Sequence, residues 1–185
     1  MEQTMDNTRE NLVKSIRRYR DRYPAESEVA ERFIEFITNY RECAERSHLS
    51  RHLTGAAWLV NRAHSHVLLT HHRKLNLWLQ LGGHADGDID MIRVATREAY
   101  EESGLKEIRL ISDDVFDLDI HTIPANKSVP EHEHYDIRYT FEAIGDESYK
   151  VSDESHDLRW VEISDIRRYT NEPTMIRMSQ KWTNR

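Results

Sequence analysis

The sequence from Leu81 to Leu105, LGGHADGDIDMIRVATREAYEESGL, decides how the rest of the chain is interpreted. It begins with a glycine-rich segment and continues into residues 90–103, which contain neither proline nor glycine. Asp88 or Asp90 can cap the start of a helix there, and Gly104 stands where helices often end in the left-handed conformation. The stretch therefore predicts a glycine turn followed by a helix.

The predicted helix has one acidic face. Glu98, Glu101 and Glu102 share it, because residues three and four apart are neighbours on a helix. An adjacent stripe predicts close packing and is made of small or apolar residues: Ile92, Ala95, Ala99 and Ser103. Like charges at this spacing repel by about a few tenths of a kcal/mol, which weighs against a plain solvated face. Three carboxylates in a fixed place suit a hard cation such as Mg²⁺.

The glycines before the helix add to this interpretation. Gly82, Gly83 and Gly87 have no side chain, so backbone carbonyl and amide groups can approach an ion or an anionic ligand closely there. The backbone of this segment could therefore approach the same cation site.

These residues resemble the Nudix box, G-x5-E-x7-R-E-U-x-E-E-x-G-U, in which U is an aliphatic residue. The second half, REAYEESGL from Arg97 to Leu105, matches at every specified position. The first half is out of register by one residue. Counting back from Arg97 reaches Ile89, whereas counting forward from Gly82 reaches Asp88, which stands in place of the usual glutamate. The flanking strands extend the likeness over roughly residues 50–170.

The resemblance implies a fold and an activity. The fold would be α/β, a Nudix-type α/β/α sandwich with a mixed sheet. The activity would be metal-dependent hydrolysis of a nucleoside diphosphate linked to another group, by attack of water on phosphorus. Candidate substrates are nucleotide sugars, which we favour, ADP-ribose, dinucleoside polyphosphates and oxidised nucleotides.

The resemblance also implies residue roles. Arg97 would orient the catalytic Glu98. One to three Mg²⁺ or Mn²⁺ ions would be held by a set of six residues, in which Gly82 or Gly83 would use its backbone carbonyl: Gly82, Gly83, Asp88, Glu98, Glu101 and Glu102. One alternative is a non-catalytic, ligand-sensing Nudix regulator, but it would be expected to lose box carboxylates, and all three glutamates are present. The other is a histidine-metal enzyme of cupin type that uses His132 and His134.

We expect the base that deprotonates the attacking water either in the segment VSDESHDLRW, Val151 to Trp160, or within the box. The resemblance places a loop of this kind at the mouth of the site. Glu154 is the first candidate, His156 the second, and Glu98 acting from within the box the third. The alternative is that the segment is a solvated turn.

Histidine is frequent, with eleven in the chain. His132, His134 and Asp136 lie on one face if their segment is extended, a spacing that a zinc or cupin-like site could use. Two ligands on one strand are only half of such a site. Four other histidines could come near them: His71, His72, His84 and His156. The other interpretation is that His84, His132 and His134 line the substrate pocket.

Three basic residues are candidate phosphate contacts: Arg73, Lys74 and Arg138. An isolated basic residue in an acidic protein is more often solvated or paired with a carboxylate. The net charge of −7 argues against broad binding to nucleic acid or to a membrane surface, which needs a basic field. A phosphate substrate would therefore have to be met by local cations or by metal.

The remaining sequence predicts one catalytic unit preceded by helices. With 185 residues and one cysteine, we expect a cytoplasmic protein without an intramolecular disulfide. Residues 1–46 predict an N-terminal extension of two helices separated at Tyr23-Pro24, and residues 47–185 the Nudix hydrolase domain. The apolar helix faces must be covered, and we expect a homodimer through this extension.

The catalytic unit should alternate strands and helices. The pattern predicts a hairpin from 53–60 and 66–73, and a short strand at 78–81 that leads into the glycine turn. Later strands are expected at 108–111, 115–123, 135–143 and 158–161, followed by helices around 164–169 and 172–182.

Overall fold

The computed structural model describes residues 2–125, 128–153 and 155–185, with side chains from Met5 onward. Its helices are α1 (Glu2–Arg22), α2 (Ser27–Asn39), α3 (Met91–Ser103) and α4 (Pro173–Thr183), with 3₁₀ turns at Pro24–Glu26 and Ile163–Arg168. Its strands are β1 (Arg51–Val60), β2 (His66–His72), β3 (Leu77–Leu79), β4 (Leu81–His84), β5 (Ile108–Ile123), β6 (His132–Ala143) and β7 (Ser155–Glu162). Within the described residues, no helix combines the length and apolar character needed to span a bilayer.

The strands of the described chain form one seven-stranded sheet. The order along it is β3-β2-β1-β6-β5, while β4 pairs with β1 and β7 pairs with β2. The predicted hairpin is present, with Val60 of β1 opposite Val67 of β2 in an antiparallel pair. A mixed sheet with flanking helices is the fold class that the sequence predicted.

The chain divides into two units, each built from three segments. Unit 1 consists of Met1–Gly55, Gly83–Val94 and Asp113–Arg138, and unit 2 of Ala56–Gly82, Ala95–Ser112 and Tyr139–Arg185. The box sequence contributes to both units: its loop and the first turn of α3 belong to unit 1, and the glutamates of α3 belong to unit 2.

Unit 1 contains the two predicted N-terminal helices. The rings of Phe33 and Phe36 on α2 lie 4.9 and 4.8 Å from the ring of Tyr135 on β6. Tyr19 of α1 is fully buried, and its hydroxyl accepts a hydrogen bond from the amide of Leu118 on β5 at 3.3 Å. The apolar faces of the helices are therefore covered by strands of the same chain. The argument for a dimer through this extension, that these faces need a partner chain to cover them, no longer applies.

Unit 2 is organised around β2. This strand is antiparallel to both β3 and β7. Its pairing with β7 begins with His66 opposite Glu162 and ends with His72 opposite Ser155, and the register shifts between His71 and His72. Its apolar centre, Val67 to Leu69, is fully buried. Three residues of the stripe predicted on α3 are also buried, namely Ala95, Ala99 and Ser103, whereas Ile92 is partly exposed.

The predicted division into strands differs from the structure at two places. The strands expected at 108–111 and 115–123 are a single strand, β5, because Asp114 is paired with Arg18 and Arg22 of α1 at 3.1 and 3.2 Å and does not break it. The single strand expected at 78–81 is two short strands, β3 and β4, on either side of Gln80.

Candidate functional site

The start of α3 is fixed by two aspartates. The side chain of Asp90 accepts a hydrogen bond from the Arg93 amide at 3.1 Å, which makes Asp90 the capping residue. Asp88 accepts one from the Asp90 amide at 2.9 Å and is paired with the Arg93 guanidinium, with Nε–Oδ2 at 2.5 Å. The carboxylate predicted to bind metal is thus engaged in holding the loop. Its role as a metal ligand stays a prediction.

The loop before α3 is tied to the segment after α2. Gly87 has φ +87°, and its amide donates to the carbonyl of Ala44 at 2.9 Å. A Cβ at this position would lie 2.7 Å from Oε1 of Glu45. Asp86 pairs with Arg46, with Nη2–Oδ2 at 2.7 Å. The positive φ favours glycine at residue 87, whereas the Glu45 carboxylate, at the end of a flexible side chain, could move away from an added Cβ.

Glu102 is held by the chain that enters the box. Its Oε2 accepts a hydrogen bond from the Gly82 amide at 2.9 Å, and the residue is only 7% exposed. The predicted contribution of Gly82 was its carbonyl, whereas the described contact uses its N–H. Gly82 and Gly83 both lie in β4. The effect is to fix a buried carboxylate at one orientation.

Glu98 and Glu101 differ in exposure. Arg97 donates to Glu98 Oε1 at 2.8 Å, and the Glu98 side chain is 14% exposed. The Glu101 side chain is 64% exposed, with Oε2 4.0 Å from Arg97 Nε. The acidic face of α3 thus has two largely buried carboxylates and one at the solvent. Mg²⁺ typically binds through one or two carboxylates together with waters and substrate phosphates, so this donor set fits such a cation.

The candidate base lies in the segment that leads into β7. Glu154 is outside the described residues. His156 is exposed on β7, and its ring lies 5.3 Å from that of His71. Both of these histidines belong to unit 2.

The two basic candidates after β2 also belong to unit 2. Arg73 donates to the carbonyl of Ser155 at 3.0 Å, and Lys74 is exposed in the turn that follows β2.

Arg138 is buried among carboxylates of unit 1. Its guanidinium pairs with Asp136 at 2.7 Å, with Asp117 at 2.8 Å and with Asp119 at 3.3 Å. Burial opposes the charge, but the three carboxylates outweigh it and raise the pKa of Arg138. This arrangement differs from the predicted phosphate contact, because the guanidinium neutralises aspartates of its own unit.

Four histidines come together in unit 1. His52 on β1, His132 and His134 on β6 and His84 on β4 have ring centroids about 5 Å apart: 5.0 Å for His52–His132, 4.8 Å for His52–His134, 5.2 Å for His52–His84 and 4.9 Å for His84–His134. One ligand atom from each of His52, His132 and His134 lies within 4.8 Å of the others. Among the described residues this is the one group of three potential metal ligands that is so close.

The cluster favours neutral imidazoles. Burial, followed by Arg46, lowers the pKa of His84 to about 4. Burial, followed by His84, lowers the pKa of His134 to about 2. Burial and then His132 lower the pKa of His52. A neutral ring has a lone pair on one nitrogen, which is the form that binds metal.

The sequence did not predict some of the residues around the histidine cluster and Arg138. His52 was not among the histidines expected near His132 and His134, and of those expected only His84 is present. Asp117, Asp119 and His121 were also missed, although their spacing of two along a strand places them on one face. That period-two alternation in β5 is the signal that could have identified them.

Comparison with known proteins gives the same architecture. A family model described as the NUDIX domain matches residues 51–182. A NUDIX family hydrolase from Clostridium perfringens is 26% identical, with a TM-score of 0.53 over 74% of this chain and 99% of that chain.

Two further solved structures share the fold alone. A MutT NUDIX hydrolase from Burkholderia pseudomallei is 22% identical, with a TM-score of 0.55 and coverage of 71% and 98%. A MutT protein from Methanosarcina mazei Go1 is 18% identical, with a TM-score of 0.56 and coverage of 73% and 94%. No curated protein matches the chain.

Proposed function

Because the chain belongs to the Nudix family, whose hydrolases act on pyrophosphate-containing substrates, we propose that it cleaves a nucleoside diphosphate linked to another group. The linked group is a sugar or a ribose, as in a nucleotide sugar or ADP-ribose. The bond that breaks is a P–O bond of the pyrophosphate, and the oxygen of water forms the new bond to phosphorus.

The acidic face of α3 carries this proposal. Glu102, fixed by the Gly82 amide, and Glu98, fixed by Arg97, are the residues that would hold Mg²⁺ or Mn²⁺, with Glu101 completing the set from the solvent side. When bound, such a cation lowers the pKa of a water ligand and offsets the negative charge of the pyrophosphate. Burying the two negatively charged carboxylates of Glu98 and Glu102 costs free energy, and a bound cation would offset that cost.

The chain's own residues supply orientation. Arg97 holds Glu98 in one position by a charge-assisted hydrogen bond of 2.8 Å. The exposed Lys74 remains available for a phosphate, whereas Arg73 already donates to the backbone of Ser155. We therefore assign the phosphate contact to Lys74 first.

The proposal is tested by incubating the purified chain with a panel of nucleotide sugars, ADP-ribose, dinucleoside polyphosphates and oxidised nucleotides. Each reaction contains Mg²⁺ or Mn²⁺, and the products are identified by mass spectrometry. Reaction in ¹⁸O-labelled water shows which phosphorus is attacked. We expect a nucleoside monophosphate and a second phosphate ester. A chain that hydrolyses none of these compounds with either cation would contradict the proposal.

Glu102→Gln keeps the shape of the side chain but removes its charge. We expect kcat to fall by a factor on the order of 10³, because the carboxylate is lost from the metal site. Glu107→Gln is the matched control, since Glu107 is exposed and lies beyond the end of α3. The site assignment fails if Glu102→Gln turns over like the control while its circular dichroism spectrum is native.

A non-catalytic regulator predicts a different result from the same panel. It would bind one of these nucleotides, measurable by isothermal titration calorimetry, without releasing product. The three retained glutamates favour the enzyme, since a regulator has no need of carboxylates for metal.

A further inference from the structure

We propose that His52, His132 and His134 bind a transition-metal cation, of which Zn²⁺ is the representative, at a site whose ligands are separate from the glutamates of α3. All three residues belong to unit 1, on strands β1 and β6. The proposed ligands are nitrogens, which suit zinc and its neighbours in the first transition row, whereas the glutamates offer oxygen for magnesium.

The distance between two of the rings matches such a site. Nε2 of His132 and Nε2 of His134 lie 3.2 Å apart. In a tetrahedral zinc site with Zn–N bonds of about 2.0–2.1 Å, neighbouring ligand nitrogens are about 3.3 Å apart. The two rings thus already have the separation that a shared ion requires, and the third ligand atom lies within 4.8 Å of both.

The tautomer of His132 is set by the backbone. Its Nδ1 lies 2.9 Å from the carbonyl oxygen of Pro130, an acceptor only, so Nδ1 carries the proton and Nε2 has the lone pair. This is the usual arrangement for a metal-binding histidine, in which the other ring N–H donates to a carbonyl or carboxylate and so orients the ring.

His52 provides the independent observation. It is 4% exposed, and neither ring nitrogen has a hydrogen-bond partner of normal geometry among the described residues. The backbone of His48 raises the pKa of the His52 ring, but by less than burial and His132 lower it. A buried polar group without a partner costs about 1–3 kcal/mol. Coordination would give one of the two ring nitrogens a partner.

A hydrogen bond without metal explains only part of the cluster. The Nε2–H of His134 could donate to the lone pair of His132, which would account for the distance between these two rings. It would leave His52, stacked on His132 and about as close to His134, without a hydrogen-bond partner of normal geometry among the described residues. A metal ion accounts for all three rings together.

His84 lies beside the three proposed ligands. The His84 ring centroid lies 5.2 Å from that of His52 and 4.9 Å from that of His134, yet His84 is not one of the three residues whose ligand atoms converge. We therefore assign three protein ligands and a water as the fourth, as in sites that keep an open position.

The site is tested with untagged wild-type protein, because a polyhistidine tag would bind the same metals. The apoprotein is titrated with Zn²⁺ in competition with a chromophoric chelator. We expect one equivalent to bind. His52→Leu and His134→Gln should each lower the affinity by about 100-fold or more, since loss of an outer hydrogen bond alone costs about 10–100-fold.

His71→Gln is the matched control, because His71 belongs to unit 2 and its ring also lies beside a second histidine ring, that of His156. It should bind zinc like the wild type. Equal loss of affinity in His71→Gln would assign the metal to surface histidines and overturn the proposal, as would wild-type affinity in His52→Leu.

Two measurements keep the test valid if a variant does not fold. Circular dichroism checks each variant, and Co²⁺ added to wild-type protein should give the visible absorption bands of a four-coordinate nitrogen site. Absence of these bands and of stoichiometric zinc binding in the wild type would overturn the proposal. Glu102→Gln should bind zinc normally while losing hydrolysis, so failure of the proposed function can be told apart from failure of this site.

Discussion

At the scale of single residues, the box glutamates are distinguished by their partners. Glu102 is bound by a backbone amide and Glu98 by Arg97, so both have fixed orientations, whereas Glu101 is exposed. A carboxylate fixed by hydrogen bonds can hold an ion or orient a water. It is also a modest base, because such contacts favour its ionised form.

The identity of the base can be tested by a pH–rate profile. A neutral histidine acting as base loses activity as pH falls through about 6 to 7, because protonation removes its lone pair, whereas a carboxylate base moves the acidic limb lower. We predict that Glu154→Gln lowers kcat by about 10²-fold or more and that His156→Ala leaves the acidic limb in place. If neither variant changes the rate or the profile, the base lies on α3.

Arg138 is a buried cation whose charge neutralises three aspartates. We predict that Arg138→Met lowers the free energy of unfolding by about 3–5 kcal/mol, because three aspartates lose the cation that neutralises them. Denaturant unfolding followed by fluorescence measures this. Arg159→Met is the control, since the Arg159–Asp157 pair is exposed and should contribute about 1 kcal/mol or less. Equal stability of the two variants would contradict this account.

At the scale of elements, α3 begins and ends where its local chemistry dictates. Asp90 caps its first turn, and Gly104 follows its last residue with φ +66°. The Ser103 carbonyl then accepts the amide of Lys150 at 2.8 Å, which fixes the end of the helix within unit 2. These contacts determine where the acidic face lies along the helix.

Gly104→Ala should therefore destabilise the protein by about 1–2 kcal/mol, the usual cost of a left-handed conformation for a residue with a Cβ. The added Cβ would also lie 2.8 Å from Cβ of Lys150. Thermal unfolding of this variant can be compared with Gly145→Ala, where φ is not positive and the nearest atoms belong to the Glu107 side chain. A cost no greater than that of the control would show that residue 104 is not conformationally restrained.

At the scale of the whole molecule, the N-terminal helices are part of the core of unit 1. We predict that a chain beginning at residue 47 is insoluble or aggregated, because removal of α1 and α2 uncovers Tyr135 and the strands beside it. Expression followed by size-exclusion chromatography with light scattering measures this. Soluble, active protein from the shortened chain would contradict the prediction.

The same light-scattering experiment on the full chain addresses the predicted homodimer. Since the apolar faces of α1 and α2 are covered within unit 1, a dimer would have to use a different surface. A dimer that persists at micromolar concentration would therefore call for a search of the exposed faces of unit 1 and unit 2.

The sequence by itself determined the box, the helix that carries it, the N-terminal helices and most strands. These features depend on local rules: capping residues, glycine at a positive φ, and periods of 3.6 or 2 in apolar residues. For the same reason it predicted that His132, His134 and Asp136 share a face of β6.

Only the tertiary structure decided which partners those faces meet. His52 lies 80 residues before His132, and no local pattern in either strand specifies that β1 and β6 are neighbours in the sheet. Likewise, the sequence does not show that Arg138 meets Asp117 and Asp119 of β5 and is neutralised there. Pairing between strands distant in sequence depends on the free energy of the complete core, because each strand's own pattern is compatible with several neighbours.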